Sequence, residues 1–265
     1  MTAPPSDASP IGPAVRLCWP REHGSWSLVL EPVALGLIAV PSIAGSVLGA
    51  AVVAALFLRR PWRLLLAGGN DPRRRLAAGC VLVLGAAAAA GAAGAAALAS
   101  PVRLWPLLAA LPPAALFAWL DSRGEARAAG AELAGVCAFA IVPAAIATAG
   151  GWPAVPAFAL AAVMAGRSIP AVMTIRTWLR RNKGEAVAAA PALLASTAAP
   201  AAAGLLAAAG LAPWTAPWIM AVLLARTAIL LGPWHLHWPA RRLGIAESAL
   251  GGLAVVIWAM GWPAP

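Results

Sequence analysis

The stretch PREHGSWSLVLEP, residues 20–32, decides how the whole chain is read. Arg21, Glu22 and His23 stand at the entrance of an apolar run, and Glu31 lies inside it. The chain has only 9 acidic residues among 265, so an acid in that place asks for a reason. Hydrophobic residues make up 62% of the sequence and charged residues 11%, whereas a soluble domain of this size carries roughly a quarter. Mean hydropathy is +0.83. Apolar runs able to cross ~30 Å of hydrocarbon recur along the chain. The expected fold is therefore an all-α polytopic membrane protein. About nine transmembrane helices are expected, at roughly 24–41, 43–58, 76–99, 102–120, 130–149, 154–174, 187–209, 214–232 and 243–262.

Residues 1–19 read as a disordered cytoplasmic leader, rich in Pro, Ser and Ala at its start, and residues 20–265 as one transmembrane domain. The leader lacks the basic start and apolar core of a cleaved signal. Cys18, Cys80 and Cys137 are too scattered for a disulfide framework or a zinc site. The net charge of +10 does not point to nucleic acid: Lys183 is the single lysine, and the arginines cluster between apolar runs as topology signals do. They fall before the first run and in 59–75, 121–129, 175–186 and 233–242, with Arg103 alone in the opposite turns. This bias predicts a cytoplasmic N-terminus and a multi-pass protein of the bacterial inner membrane.

Five ionisable residues remain inside the expected spans: Glu31, Glu132, Arg167, Arg226 and Glu247. An ion in hydrocarbon marks a functional position by default, because it must be paired or hydrated. The acids come early in outward spans and the arginines late in returning ones, which places all five within ~10–12 Å of the cytoplasmic face at 1.5 Å per residue. Mutual pairing and helix-dipole compensation are the structural explanation. A polar cavity open to the cytoplasm is the functional one. His23, Ser27 and Glu31 form one polar stripe at i, i+4 and i+8, and Pro32 frees the Leu28 carbonyl beside it. His23, Glu31 and Glu132 are thus the candidate catalytic groups, with Arg167, Arg226 and Glu247 as substrate-binding candidates.

Two further clusters bear on the same face. In DSRGEARAAGAE (121–132), Asp121, Glu125 and Glu132 share one helical face and Arg123 and Arg127 the other. A solvated helix explains this pattern; a weak Mg²⁺ site is the alternative, although a hard cation wants a denser oxygen set. In RSIPAVMTIRTWLRRNKGE (167–185), Arg176, Arg180 and Lys183 share a face that suits a phosphate or an anionic lipid head. A basic loop touching headgroups needs no such site. His235 and His237 are two apart and would diverge on a helix, so no metal is expected there. No nucleophile elbow, zinc-protease pair or phosphate-binding glycine loop is present.

PREHGSW at the first span resembles the opening of the YwiC-like family of bacterial membrane proteins. RSIP followed by RTWLRRNKG, and RRLGIAE at the last span, are similar to later features of that family, so the resemblance covers residues 20–262. It implies functional roles for Arg21, Glu22, His23, Gly24, Trp26, Arg167, Pro170, Arg176 and Glu247. The threading also looks like that of UbiA-type membrane prenyltransferases. These have nine helices and a cytoplasmic-side cavity in which two aspartate-rich loops hold Mg²⁺ and an isoprenoid diphosphate. The matching loops here, GNDPRRR (69–75) and RTWLRRNKGE (176–185), keep Asp71 and no second aspartate.

The expected function is the binding of an isoprenoid, quinone-type or other lipid with an anionic or polar head, with a UbiA-like transferase as its catalytic form. Arg21, Glu22, Trp26, Arg176, Arg180 and Lys183 would join the in-span residues on the substrate, and Asp71, Asp121 and Glu125 are the weak metal candidates. The first alternative is a proton-coupled transporter. RRPWRLLLAGGNDPRRR after the second span echoes RTWLRRNKGE after the sixth, which hints at two halves. Against it, the polar groups stay on one side. The second alternative is a non-catalytic subunit or assembly factor of a membrane complex.

Overall fold

The computed structural model describes residues 12–19, 23–69, 71–233 and 238–263, without the side chains of 23–25. Among these every regular element is a helix. A short helix, α1 (Pro13–Cys18), occupies the end of the expected leader. The large helices follow the apolar runs: α2 (His23–Ala39), α3 (Ile43–Leu66), α4 (Arg74–Ala99), α5 (Pro106–Ser122), α6 (Ala129–Ala140) with α7 (Val142–Ala149), α8 (Ala154–Arg181), α9 (Ala190–Ala208), α10 (Thr215–Leu231) and α11 (Ala240–Met260). Six of these segments are long and apolar enough to cross a membrane, counting 129–149 as one. Trp26–Ala39, Pro106–Ser122 and Thr215–Leu231 are shorter apolar helices.

The break between α6 and α7 falls at Ile141, two residues before Pro143. Proline has no amide hydrogen, so the Phe139 carbonyl loses its helical donor there. Every residue of α7 is buried. A helix that is apolar all round sits at the centre of its fold, and α2, α3 and α8 pack around this one. Two glycines permit that approach: a Cβ on Gly36 of α2 would lie 2.9 Å from Ile146 Cβ, and one on Gly45 of α3 would lie 2.9 Å from Ile146 Cγ2. Small residues at such contacts let helices meet without a driving force from water. By contrast, α4 is hydropathic along its length, packs one side on α3 and leaves the other exposed, with only Ala77, Ala95 and Ala99 buried.

The helices α2, α8, α9, α10 and α11 enclose the second half of the core. Its larger cluster holds Leu35, Leu160, Met164, Met220, Val255 and Trp258. A smaller one holds Trp178, Ala192, Leu230, Leu231 and Leu243. The two occupy successive levels of the same helices, and the charged residues of the interior lie between them.

Candidate functional site

Glu31 is buried in the middle of α2 and forms an ion pair with Arg167 of α8: Nη2 donates to Oε1 at 3.0 Å, and Nε lies 2.8 Å from Oε2 without the geometry of a hydrogen bond. Ser27, one turn earlier, donates a further hydrogen bond to the same Oε1. Arg167 Nη2 also donates to the Glu247 carbonyl oxygen of α11 at 3.1 Å. The Glu247 side chain in turn takes Arg226 of α10, with Nη1 to Oε1 at 2.9 Å. Four ions from four helices form one chain of contacts, two cationic and two anionic, with no net charge.

Gly251 makes this arrangement sterically possible. A Cβ there would lie 1.9 Å from Arg167 Nη2 and 2.1 Å from Glu31 Oε1. The ion pair is seated directly on the bare backbone of α11.

The depth of the layer follows from the helix ends on the arginine-rich side. Glu31, Glu247 and Arg226 lie ~8–12 Å from those ends at ~1.5 Å per residue, as the sequence predicts. Arg167 lies ~21 Å from the end of α8, because α8 runs past its neighbours. That overhang carries Trp178, which is 2% exposed. With Leu230, Leu231 and Leu243 it forms an apolar lid over the ionic layer on the arginine-rich side. The Trp258–Met220 cluster closes the other side. Glu31 and Arg167 thus lie in a polar layer between two apolar levels, while the Arg226 and Glu247 side chains remain 16% and 14% exposed.

A small notch remains beside this layer, between α8, α9 and α10. It is lined by Gly166, Arg167, Pro170, Ser196, Ala199, Met220, Leu223, Leu224, Arg226 and Thr227, and its volume is ≈ 10 Å³. That is about the space of one water-sized group. Ser196 donates to Thr227 Oγ1 at 3.2 Å, Thr174 and Thr227 share a hydrogen bond at 3.1 Å, and Thr227 donates to the Leu223 carbonyl at 3.0 Å. Arg226 Nε, Arg226 Nη1 and Arg167 Nε are buried and make no hydrogen bond among the described residues, although the last two lie within ion-pair distance of Glu247 and Glu31. Pro170 and Pro200 lie inside α8 and α9, so the Gly166 and Ser196 carbonyls lose their helical donors. The notch is therefore lined by arginines with unpaired N–H groups and by two residues whose carbonyls lack the usual helical donor.

The other candidates are dispersed. Glu132 does not join the layer; it pairs with Arg176 at 2.7 Å, and Arg176 also donates to the Arg127 carbonyl at 2.6 Å. Arg180 pairs with Glu185 at 2.6 Å, and Lys183 is exposed. Arg176 and Arg180 therefore stand apart from Glu31. Trp26 packs against Trp19 and Phe57, with ring centroids 4.9 and 5.5 Å away. Arg21, Glu22, His235, His237 and the His23 side chain lie outside the described residues.

Of the metal candidates, Asp121 is buried between Arg59 at 3.3 Å and Arg63 at 3.5 Å. Asp71 pairs with Arg73 at 2.8 Å, and that guanidinium holds its carboxyl down at about 2. Glu125 is exposed. No group of three or more His, Cys, Asp or Glu residues able to hold a metal occurs among the described residues.

Sequence reasoning passed over Gly251, Thr174, Ser196 and Thr227. A hydroxyl in an alanine-rich helix can bond its own backbone, so it leaves no periodic signal. The Pro170 and Pro200 spacings were the available clue.

Residues 19–147, through most of α7, match the model of the family described as YwiC-like protein. No curated protein and no solved structure matches the chain. Glu31 and its helix lie inside the matched stretch, whereas Arg167, Arg226 and Glu247 lie beyond it.

Proposed function

From a multi-pass membrane chain whose residues 19–147 are YwiC-like, we propose a protein of the bacterial inner membrane that binds an isoprenoid or similar lipid by its polar head. The chain crosses the bilayer nine times with its N-terminus in the cytoplasm. Six long apolar helices and three shorter ones support this reading, as does the clustering of the arginines in alternate loops. A helix of 17 residues extends ~25 Å, which slight bilayer thinning accommodates.

One observation carries the lipid reading: Arg167 and Arg226, already engaged in the ionic layer, also line a notch with an open donor at membrane depth. Buried ion pairs contribute little to stability against apolar residues of the same volume. Two of them placed beside an unfilled notch are better explained by a ligand than by folding alone. The head would sit in the notch, and the tail would run along the apolar surfaces of α9 and α10, where Leu194, Leu205 and Val222 are exposed. Metal-dependent transfer of the UbiA kind has less support, since Asp71, Asp121 and Glu132 are each committed to arginines.

The pairing of buried and half-buried arginines with acids across four helices favours one second reading, a transporter. Mass spectrometry of lipids extracted from the purified protein separates the two. A stoichiometric isoprenoid lipid that survives detergent exchange is expected. Recovery of bulk phospholipid alone would overturn the proposal.

A further inference from the structure

We propose that the notch between α8, α9 and α10 selects a neutral lipid whose head presents a single hydroxyl or carbonyl oxygen, and that it rejects a diphosphate. The inference rests on the lipid-binding reading above and narrows it to one chemical class.

Three observations converge on it. The first is charge. Arg167 and Arg226 are matched by Glu31 and Glu247, so the layer has no surplus positive charge to offer. A multiply charged head placed there would be uncompensated in a medium of low dielectric, where its desolvation is not repaid. The second is volume. A notch of ≈ 10 Å³ admits one oxygen-sized group, not two linked phosphates. The third is hydrogen bonding. Arg226 Nε needs an acceptor, and the Gly166 and Ser196 carbonyls lack helical donors. A hydroxyl oxygen donates and accepts at once and satisfies both kinds of partner; a carbonyl satisfies the donor. The rest of the lining, with Ala199, Met220 and Leu224, is apolar and suits the first carbons of the tail.

The unpaired arginines, lysine and loop carbonyls of a diphosphate site would have to lie elsewhere. The basic groups at the end of α8 are engaged instead, Arg176 by Glu132 and Arg180 by Glu185.

The test compares two probes that share one tail, geranylgeraniol and geranylgeranyl diphosphate, binding to the full-length protein in nanodiscs. The alcohol is expected to bind at least tenfold more tightly than the diphosphate. Ala199→Leu, which fills the notch from within, and Leu224→Phe, which fills it from its half-buried edge, should each weaken the alcohol at least tenfold. Their melting temperatures show whether each variant is folded, and a folded variant of either kind is decisive. Tighter binding of the diphosphate, or alcohol binding unchanged in a folded notch-filling variant, would overturn the inference and leave the broader lipid reading standing. Failure of both probes to bind would remove the inference and the lipid reading together.

Discussion

Glu31 and Arg167, 136 positions apart in sequence, meet through an Nη2–Oε1 hydrogen bond of 3.0 Å and an Nε–Oε2 contact of 2.8 Å over the bare Cα of Gly251. Three helices are thereby joined at one point: α2 gives the acid, α8 the base and α11 the seat. The acid inside PREHGSWSLVLEP is there because α8 carries its partner at the same depth.

Gly251→Ala is the sharpest structural test of that junction. Its Cβ would fall 1.9 Å from Arg167 Nη2, so the pair must separate or α11 must move. Overpacking costs ~1–3 kcal/mol and loosening a buried ion pair adds to it. The melting temperature of the purified protein should fall clearly. The neighbouring Gly252 has nothing within 4 Å of its virtual Cβ, and Gly252→Ala should change stability by less than about 0.5 kcal/mol. Equal effects at the two positions would contradict the packing described.

The ion pair itself predicts strong non-additivity. Glu31→Gln strands the Arg167 guanidinium in the interior, at a cost of ~3–5 kcal/mol. Adding Arg167→Gln removes the stranded charge, so the double variant should be more stable than the sum of the two singles implies. A double-mutant cycle on denaturant unfolding in detergent measures this. Strict additivity would mean that the two residues do not act as a pair.

The sequence was informative wherever burial against lipid sets the pattern. The expected 24–41 and 76–99 correspond to α2 and α4 within a few residues, because a long apolar run has few alternatives. The depth of Glu31, Arg226 and Glu247 was legible for the same reason: rise per residue converts position into height. The partners were not legible. Glu132 was expected with Glu31, yet it is held at the rim by Arg176, and helix rotation, which one sequence does not give, decides that choice. The lid over the layer was also hidden. The overhang of α8 folds Trp178 into the Leu230–Leu243 cluster, a contact between distant segments that no local pattern announces.

Orientation can be read with single cysteines in a cysteine-free background. Glu125→Cys and Lys183→Cys should react with a membrane-impermeant maleimide only after the membrane is opened. Arg103→Cys and Ala209→Cys should react in intact spheroplasts. All four residues are exposed, so access to the compartment decides the outcome. The reverse pattern would overturn the cytoplasmic N-terminus.

Cys18 in α1 should be a poor nucleophile. Burial, and then its hydrogen bond with Cys80, push its thiol from 9.0 up to about 11. The thiolate is the reactive form, so near neutral pH about a hundredfold fewer molecules carry it. Alkylation in the folded protein should be slow at pH 7.5 and should accelerate until the pH reaches about 11. Cys80→Ser should leave burial in place and restore only part of the reactivity. Rapid alkylation at pH 7.5 without unfolding would show that α1 is not docked against α4.

The lipid seat can be located directly by photo-crosslinking. A geranylgeraniol analogue with a diazirine on its head-proximal isoprene unit would be irradiated on the full-length protein in nanodiscs, and the labelled peptides sequenced. Labels are expected within residues 164–174, 195–200 and 219–228, the parts of α8, α9 and α10 around the notch, and they should be lost in a folded Ala199→Leu variant. Labels spread over the lipid-facing surface of α4, and unchanged by Ala199→Leu, would contradict a head-group site in the ionic layer.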